Sequence, residues 1–249
     1  MRIEIITMWY NEEFLAPFFL KHYAWADKIT LFHDRDSDDR SLDIARKAAN
    51  VEIKPFRFPD MLDEGLKQLR LNEAYRNSAC DWVAIVDADE FLFHKEHGEF
   101  RYDLHALLET SDADVYQVPF FQPHRHKDDA DLDNNLPAVP QRRHGTFEAN
   151  GIFQSKPCVA RAGQDICWKV GCHAVSSGSK QLNIIPDVIF CSHWNMADPC
   201  FVIERRLKNR KHRQSRNNIE RNMDSHNHAI TIQKLQAEFA LHADDPLLI

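Results

Sequence analysis

A chain of 249 residues that is 43% hydrophobic can bury a sizeable interior, as one large domain or two small ones sharing a core. Its formal charge of −7 argues against general nucleic-acid binding, and its seven glycines form neither G-x-x-x-x-G-K-[ST] nor G-x-G-x-x-G. Six cysteines without a C-x-x-C pair disfavour zinc spacing and a disulfide framework, and no apolar run approaches the ~20 residues that span a bilayer.

Residues 3–8 read as a first strand, too short and too soon acidic for an export signal, so a reduced, cytoplasmic, soluble protein is expected. Asn11-Glu12-Glu13 is placed to cap the next helix, with Pro17 in its first turn and Phe18, Phe19 and Tyr23 packing inward. A second strand over 29–32 leads into the acidic loop 34–39 and a helix over 41–49. A third strand covers 51–55. A longer helix spans 62–78, with Leu66, Leu69 and Tyr75 near helical spacing and Lys67 and Arg76 as surface charges.

The fourth strand, 82–86, is apolar and suited to burial on both faces. It stops at Asp87-Ala88-Asp89-Glu90, and apolar residues resume at Phe91-Leu92-Phe93. Charge packed so close to a buried strand is unfavourable unless something positive sits there. In an extended chain Asp87 and Asp89 point the same way, and two hard oxygen ligands suit Mg²⁺ or Mn²⁺. An acidic turn after a strand is the competing reading.

Strands alternating with helices imply an α/β fold, a doubly wound, mostly parallel sheet that binds ligands at the carboxyl ends of its strands. Three polar clusters fall there: Asn11-Glu12, Asp34 to Asp39, and Asp87-Ala88-Asp89.

These residues carry a resemblance. Asn11-Glu12, the run Phe18-Phe19-Leu20-Lys21-His22-Tyr23, Asp34-x-x-Ser37-x-Asp39, Asp81-Trp82 and Asp87-Ala88-Asp89-Glu90-Phe91, in this order, resemble glycosyltransferase family 2 of the Rossmann-like GT-A fold, in its bacterial branch with a D-x-D-E-F signature. The resemblance covers residues 1–120 well and the rest loosely. It implies a metal-dependent, inverting, hexosyl-type transferase that moves a sugar from a UDP- or GDP-sugar to a glycan or lipid-linked saccharide in bacterial polysaccharide synthesis. Asp87 and Asp89 would hold Mn²⁺ or Mg²⁺ on the diphosphate. Asn11, Glu12, Asp34 and Gln68 complete the expected donor-binding set. Residues 1–120 would bind the nucleotide sugar and an irregular part over 121–249 the acceptor, within one compact domain.

In the second half a strand is expected over 114–120. Residues 121–151 are polar and proline-containing, with ionisable groups crowded from His124 to Asp131, an acceptor-side lid or a surface insertion. An inverting transferase needs a general base. Asp128, Asp129, Glu148, Asp165 and His173 are candidates, and Glu148 is chosen. A strand over 186–194 ends in Ser192-His193-Trp194. A late histidine supplies a third metal ligand in GT-A enzymes; His193 is chosen, with His173 as rival. The cation-rich segment 204–221 reads first as a solvated helix, then as a flank for the donor diphosphate or a patch for anionic lipid at the inner membrane face. A last helix covers 229–242.

Two other function classes remain. A nucleotidyltransferase shares such a sheet and acidic site but carries a glycine-rich basic loop where this chain has Met8-Trp9-Tyr10-Asn11-Glu12-Glu13. A catalytically silent nucleotide-binding module would keep the fold without the chemistry.

Overall fold

The computed structural model describes residues 1–59, 61–147, 155–178, 180–221, 231–245 and 247. Numbered in chain order, the strands are β1 (Ile3–Trp9), β2 (Lys28–Asp34), β3 (Val51–Phe56), β4 (Trp82–Ile85), β5 (Glu90–Glu96), β6 (Glu99–Arg101) and β7 (Val115–Pro123). They continue with β8 (Gly145–Phe147), β9 (Ser155–Arg161), β10 (Ile166–Trp168), β11 (Val175–Ser177), β12 (Ile184–Pro186) and β13 (Ile189–His193). The helices are α1 (Ala16–His22), α2 (Ser41–Ala45), α3 (Glu64–Arg76), α4 (His105–Glu109), α5 (Pro199–Ile203), α6 (Arg216–Glu220) and α7 (Ile232–Leu241).

One sheet runs β3-β2-β1-β4-β9-β7-β13-β5-β6. Its first four strands are parallel, as the alternation of strand and helix requires, giving an α/β Rossmann-like arrangement consistent with the GT-A fold. β9 then enters antiparallel between β4 and β7, and β13 pairs parallel with β7 and antiparallel with β5. Strands from both halves of the sequence therefore interleave, and position 120 falls inside β7. β1 and β4 are buried along almost their whole length, which their branched and aromatic side chains suit. No helix among the described residues is long and apolar enough to cross a membrane.

Two expected local features differ. Asn11 does not cap α1: it takes a left-handed φ of 51°, and its side chain bonds across to the Asp38 loop at 2.6 and 2.9 Å. Asparagine tolerates that conformation better than most residues. In α3, Leu66 and Leu69 lie 38% and 49% exposed, while Gln68, Leu71, Asn72 and Tyr75 turn inward. The helix rests on the β10–β11 hairpin, where Asn72 satisfies the backbone N–H and C=O of Trp168 at 2.9 and 3.0 Å. A buried backbone needing partners selects polar residues on that face.

Candidate active site

The acidic signature is a turn, not an extended strand. β4 ends at Ile85, the Asp87 N–H donates to Glu90 Oε2 at 3.0 Å, and the Glu90 N–H donates back to the Asp87 carbonyl at 3.1 Å. Period-two alternation does not apply through such a turn, and Asp87 and Asp89 meet different cations. Asp87 Oδ1 accepts from Lys67 Nζ at 2.9 Å, and Oδ2 lies 3.6 Å from Lys156 Nζ. Lys156, itself buried, also pairs with Glu90. Burial opposes the charge on both lysines. The carboxylates (Asp87 foremost at Lys67, Glu90 at Lys156) outweigh it and hold both above the usual lysine range.

Asp89 is buried and gripped by Arg205. Nη1 bonds to Oδ2 and Nη2 to Oδ1 at 3.1 Å, while Nε and Nη2 also reach Glu12 Oε1 at 3.1 and 2.8 Å. Burial works against the guanidinium charge, but Asp89 and then Glu12 push its pKa above the ordinary arginine value. His193 Nε2 stands 3.7 Å from Asp89 Oδ2. At the end of β2, buried Asp34 accepts from Arg213 Nη2 at 2.9 Å, and the Arg213 guanidinium carbon lies 3.5 Å from the centre of the Tyr10 ring.

All three clusters anticipated at the strand ends are thus met by one segment, residues 199–221. Arg205 binds Glu12 and Asp89, Arg213 binds Asp34, and the Asn209 amide reaches the Asn11 carbonyl at 3.4 Å. The segment is pinned by Leu62, whose N–H donates to the Arg213 carbonyl at 2.8 Å and whose carbonyl accepts from the Ser215 N–H at 3.0 Å. It is not the solvated helix that its composition suggested, because Arg205 and Arg206 are buried. A cleft of about 1190 Å³ opens beside it, lined by Tyr10, Asn11, Phe14, Leu132, Asp133, Phe201, Arg205 and Lys208 among others.

Other anticipated residues lie elsewhere or differ in role. Gln68 is buried under the turn 170–172, with Oε1 3.5 Å from Cys172 Sγ. Lys67, expected at the surface, is a partner of Asp87. His173 packs against Gly171 in that same turn. Asp129 Oδ2 accepts from the His126 N–H at 2.9 Å, and Asp165 sits beside Gly178. Glu148 lies outside the described residues. Sequence reasoning did not single out Arg205 or Arg213 and took Lys67 as a surface charge; the signal for the two arginines was the demand of the acids for counter-charge, set against the cations of residues 204–221.

The fit to a divalent ion is divided. Hard carboxylate oxygens are the right chemistry, and Asp87 keeps 32% of its side chain exposed. Among the described residues the carboxylates of Glu12, Asp34, Asp87, Asp89 and Glu90 meet the cations Lys67, Lys156, Arg205 and Arg213. Asp87, Asp89 and His193 do not, however, bring three donor atoms within 4.8 Å of one another among the described residues. Asp87 could take an ion only by sharing its oxygens with Lys67 and Lys156, and Asp89 only with Arg205 displaced.

No protein-family model matches the chain, and no curated protein matches it. Solved structures do. S. aureus TarS in complex with UDP-GlcNAc is similar at 16% identity and a TM-score of 0.45, over 96% of this chain and 72% of that one. Another S. aureus TarS crystal structure gives 19% identity and a TM-score of 0.37 over 65% and 47% of the two chains. Glucosyl-3-phosphoglycerate synthase from Mycobacterium tuberculosis, crystallised with Mn²⁺, UDP and phosphoglyceric acid, gives 19% and 0.32 over 49% and 43%. The chain spans 47% of the length of the first two TarS structures it matches.

Proposed function

We propose that this chain is a nucleotide-sugar-dependent glycosyltransferase of hexosyl type, with the donor seated across the carboxyl ends of β1, β2 and β4. The observation that carries the reading is the gathering of acids from three strand ends, each held by a cation, with Arg205 of that set also lining a cleft of about 1190 Å³. Crevices at strand carboxyl ends are where open α/β sheets bind ligands, and this volume suits a donor and part of an acceptor.

Lys67 and Lys156 pair with Asp87 and fix its oxygens at the end of β4. Arg205 locks Asp89 and Glu12 together, so the floor of the crevice is preorganised before any ligand arrives. Asp34 and the Arg213–Tyr10 stack lie where the ribose and base would be read. A divalent ion held by Asp87, and by Asp89 once Arg205 withdraws, would neutralise charge on the departing diphosphate. His193, at 3.7 Å from Asp89, is the remaining ligand in this reading. Single displacement with inversion, a UDP- or GDP-sugar, a glycan or lipid-linked acceptor of a bacterial polysaccharide and peripheral contact with the inner membrane face complete it; nucleic acid has no part.

The test is nucleotide release from UDP- and GDP-sugars, with calorimetric titration of UDP, GDP and CDP, each with and without Mn²⁺. Release is expected with one of the donors, lost in excess EDTA and lost in Asp87→Asn. Failure of every nucleotide to bind in either condition would sink the reading, and turnover undiminished by EDTA would remove the ion from it.

A further inference from the structure

The stretch after β7 and the end of α7 meet in a cluster of histidines. His124 Nδ1 and His242 Nδ1 both lie on Asp245 Oδ2, at 2.8 and 2.9 Å. The two rings stack with centroids 3.9 Å apart and 7° from parallel. These three donor atoms lie within 4.8 Å of one another, and no other His, Cys, Asp or Glu group among the described residues does so. A second stacked pair flanks them: His144 Nδ1 contacts the Asp245 carbonyl at 3.0 Å, and His126 covers His144 at 4.1 Å.

Two imidazole nitrogens and one carboxylate oxygen form a borderline-soft donor set, the kind that takes Zn²⁺. Ligand bonds of about 2.0–2.2 Å at tetrahedral angles put donor atoms roughly 3.3 Å apart. The two nitrogen–oxygen separations, 2.8 and 2.9 Å, need to open by about half an ångström, and the stacked rings must rotate so that their in-plane Nδ1 lone pairs converge on one ion. Both rings can present Nδ1 as a lone pair by moving a proton to Nε2, with no net change of charge.

We propose that His124, His242 and Asp245 form a zinc-class metal site that clamps the end of α7 onto the segment 124–144. The site shares no residue with the acidic crevice and does not depend on the glycosyltransferase reading. Its consequence for the cleft is direct, because Leu132 and Asp133 of the same segment line the cleft wall. The Lys127 N–H on the Ala243 carbonyl at 3.2 Å, and the Lys127–Asp244 ion pair, hold the same two stretches together beside it.

Untagged full-length protein, stripped with chelator, would be titrated with Zn²⁺ alone against a chromophoric competitor, and Co²⁺ substitution read by visible absorption. One equivalent of Zn²⁺ is expected in wild type and in Asp87→Asn. In His242→Ala and Asp245→Asn, affinity should fall by more than the roughly 10–100-fold that outer-shell changes cause. Zn²⁺ should raise the thermal midpoint of wild type and leave that of His242→Ala unmoved. Wild type binding no stoichiometric Zn²⁺, or His242→Ala binding it equally well, would overturn the proposal and reduce the cluster to hydrogen bonds.

Discussion

A single guanidinium between two buried carboxylates is expensive to disturb from one side only. Arg205→Gln would leave Asp89 and Glu12 facing each other inside the protein, and breaking such a buried pair by removing one partner costs about 3–5 kcal/mol. Removing all three charges together, as Arg205→Gln with Glu12→Gln and Asp89→Asn, should recover most of that loss, because the uncompensated charge goes with it. Urea unfolding of the single and triple variants checks both. A single variant within about 1 kcal/mol of wild type would show the contact to be a surface-type ion pair. Residue identity in the sequence announced the acids and their burial, since Asp87 to Glu90 sit between apolar runs. Which cation answers each acid was not legible. Arg205 is distant in sequence from Asp89, and nothing in its neighbours distinguishes it from Arg210 or Arg216.

At the scale of elements, the segment 199–221 matters more than its composition indicates. It carries little regular α-helix: α5 and α6 are five residues each, with a π-helical stretch over Glu204–Arg210 and a 3₁₀ turn over Lys211–Arg213 between. Short helices of this kind are marginal alone and depend on docking. Asn218, fully buried, supplies much of that docking. Its Nδ2 donates to the Leu62 carbonyl and Gln214 Oε1, both at 2.9 Å, and its Oδ1 accepts from the Glu64 N–H at 3.2 Å. Asn218→Ala removes all three hydrogen bonds, a net loss of about 0.5–1.5 kcal/mol for each, although the Leu62 carbonyl keeps the Ser215 N–H. Amide exchange at Leu62 and Ser215 should then quicken by at least about tenfold while β1 exchange is unchanged, since local opening lies below global unfolding. A uniform acceleration throughout the core would show that the segment does not open as a unit. The parallel strands and their helices were readable from the period of the first ninety residues. The docking of 199–221 was not, because its partners are backbone groups of residues 62–64 and acids distant in sequence, which periodicity does not reveal.

For the molecule as a whole, one mixed sheet joins the two halves. The antiparallel entry of β9 between β4 and β7 could not be read from a local pattern, because strand order beyond a βαβ run is settled by tertiary packing. Continuity of the sheet makes stability a global property, and its pH dependence follows from groups buried neutral. His22, in the core with Nε2 2.7 Å from the Leu92 carbonyl, has its pKa lowered to about 4 by burial, against a smaller opposing effect of that hydrogen bond. Its folded value lies below its unfolded value of about 6.5. The unfolded chain therefore binds the proton first, and the contribution is complete above about pH 6.5 and lost progressively towards pH 4. A shift of this size corresponds to roughly 3 kcal/mol at most. His124 acts in the same direction over the same window. His105, paired with Asp27 and Asp103, has a raised pKa despite the opposing effect of its partial burial, so it favours the fold as pH falls and offsets part of the loss. The urea midpoint should decline between pH 6.5 and 4, and His22→Gln should flatten that slope while lowering stability at pH 7.5. A slope identical in His22→Gln and wild type would place the acid sensitivity in the carboxylates, whose own window lies lower.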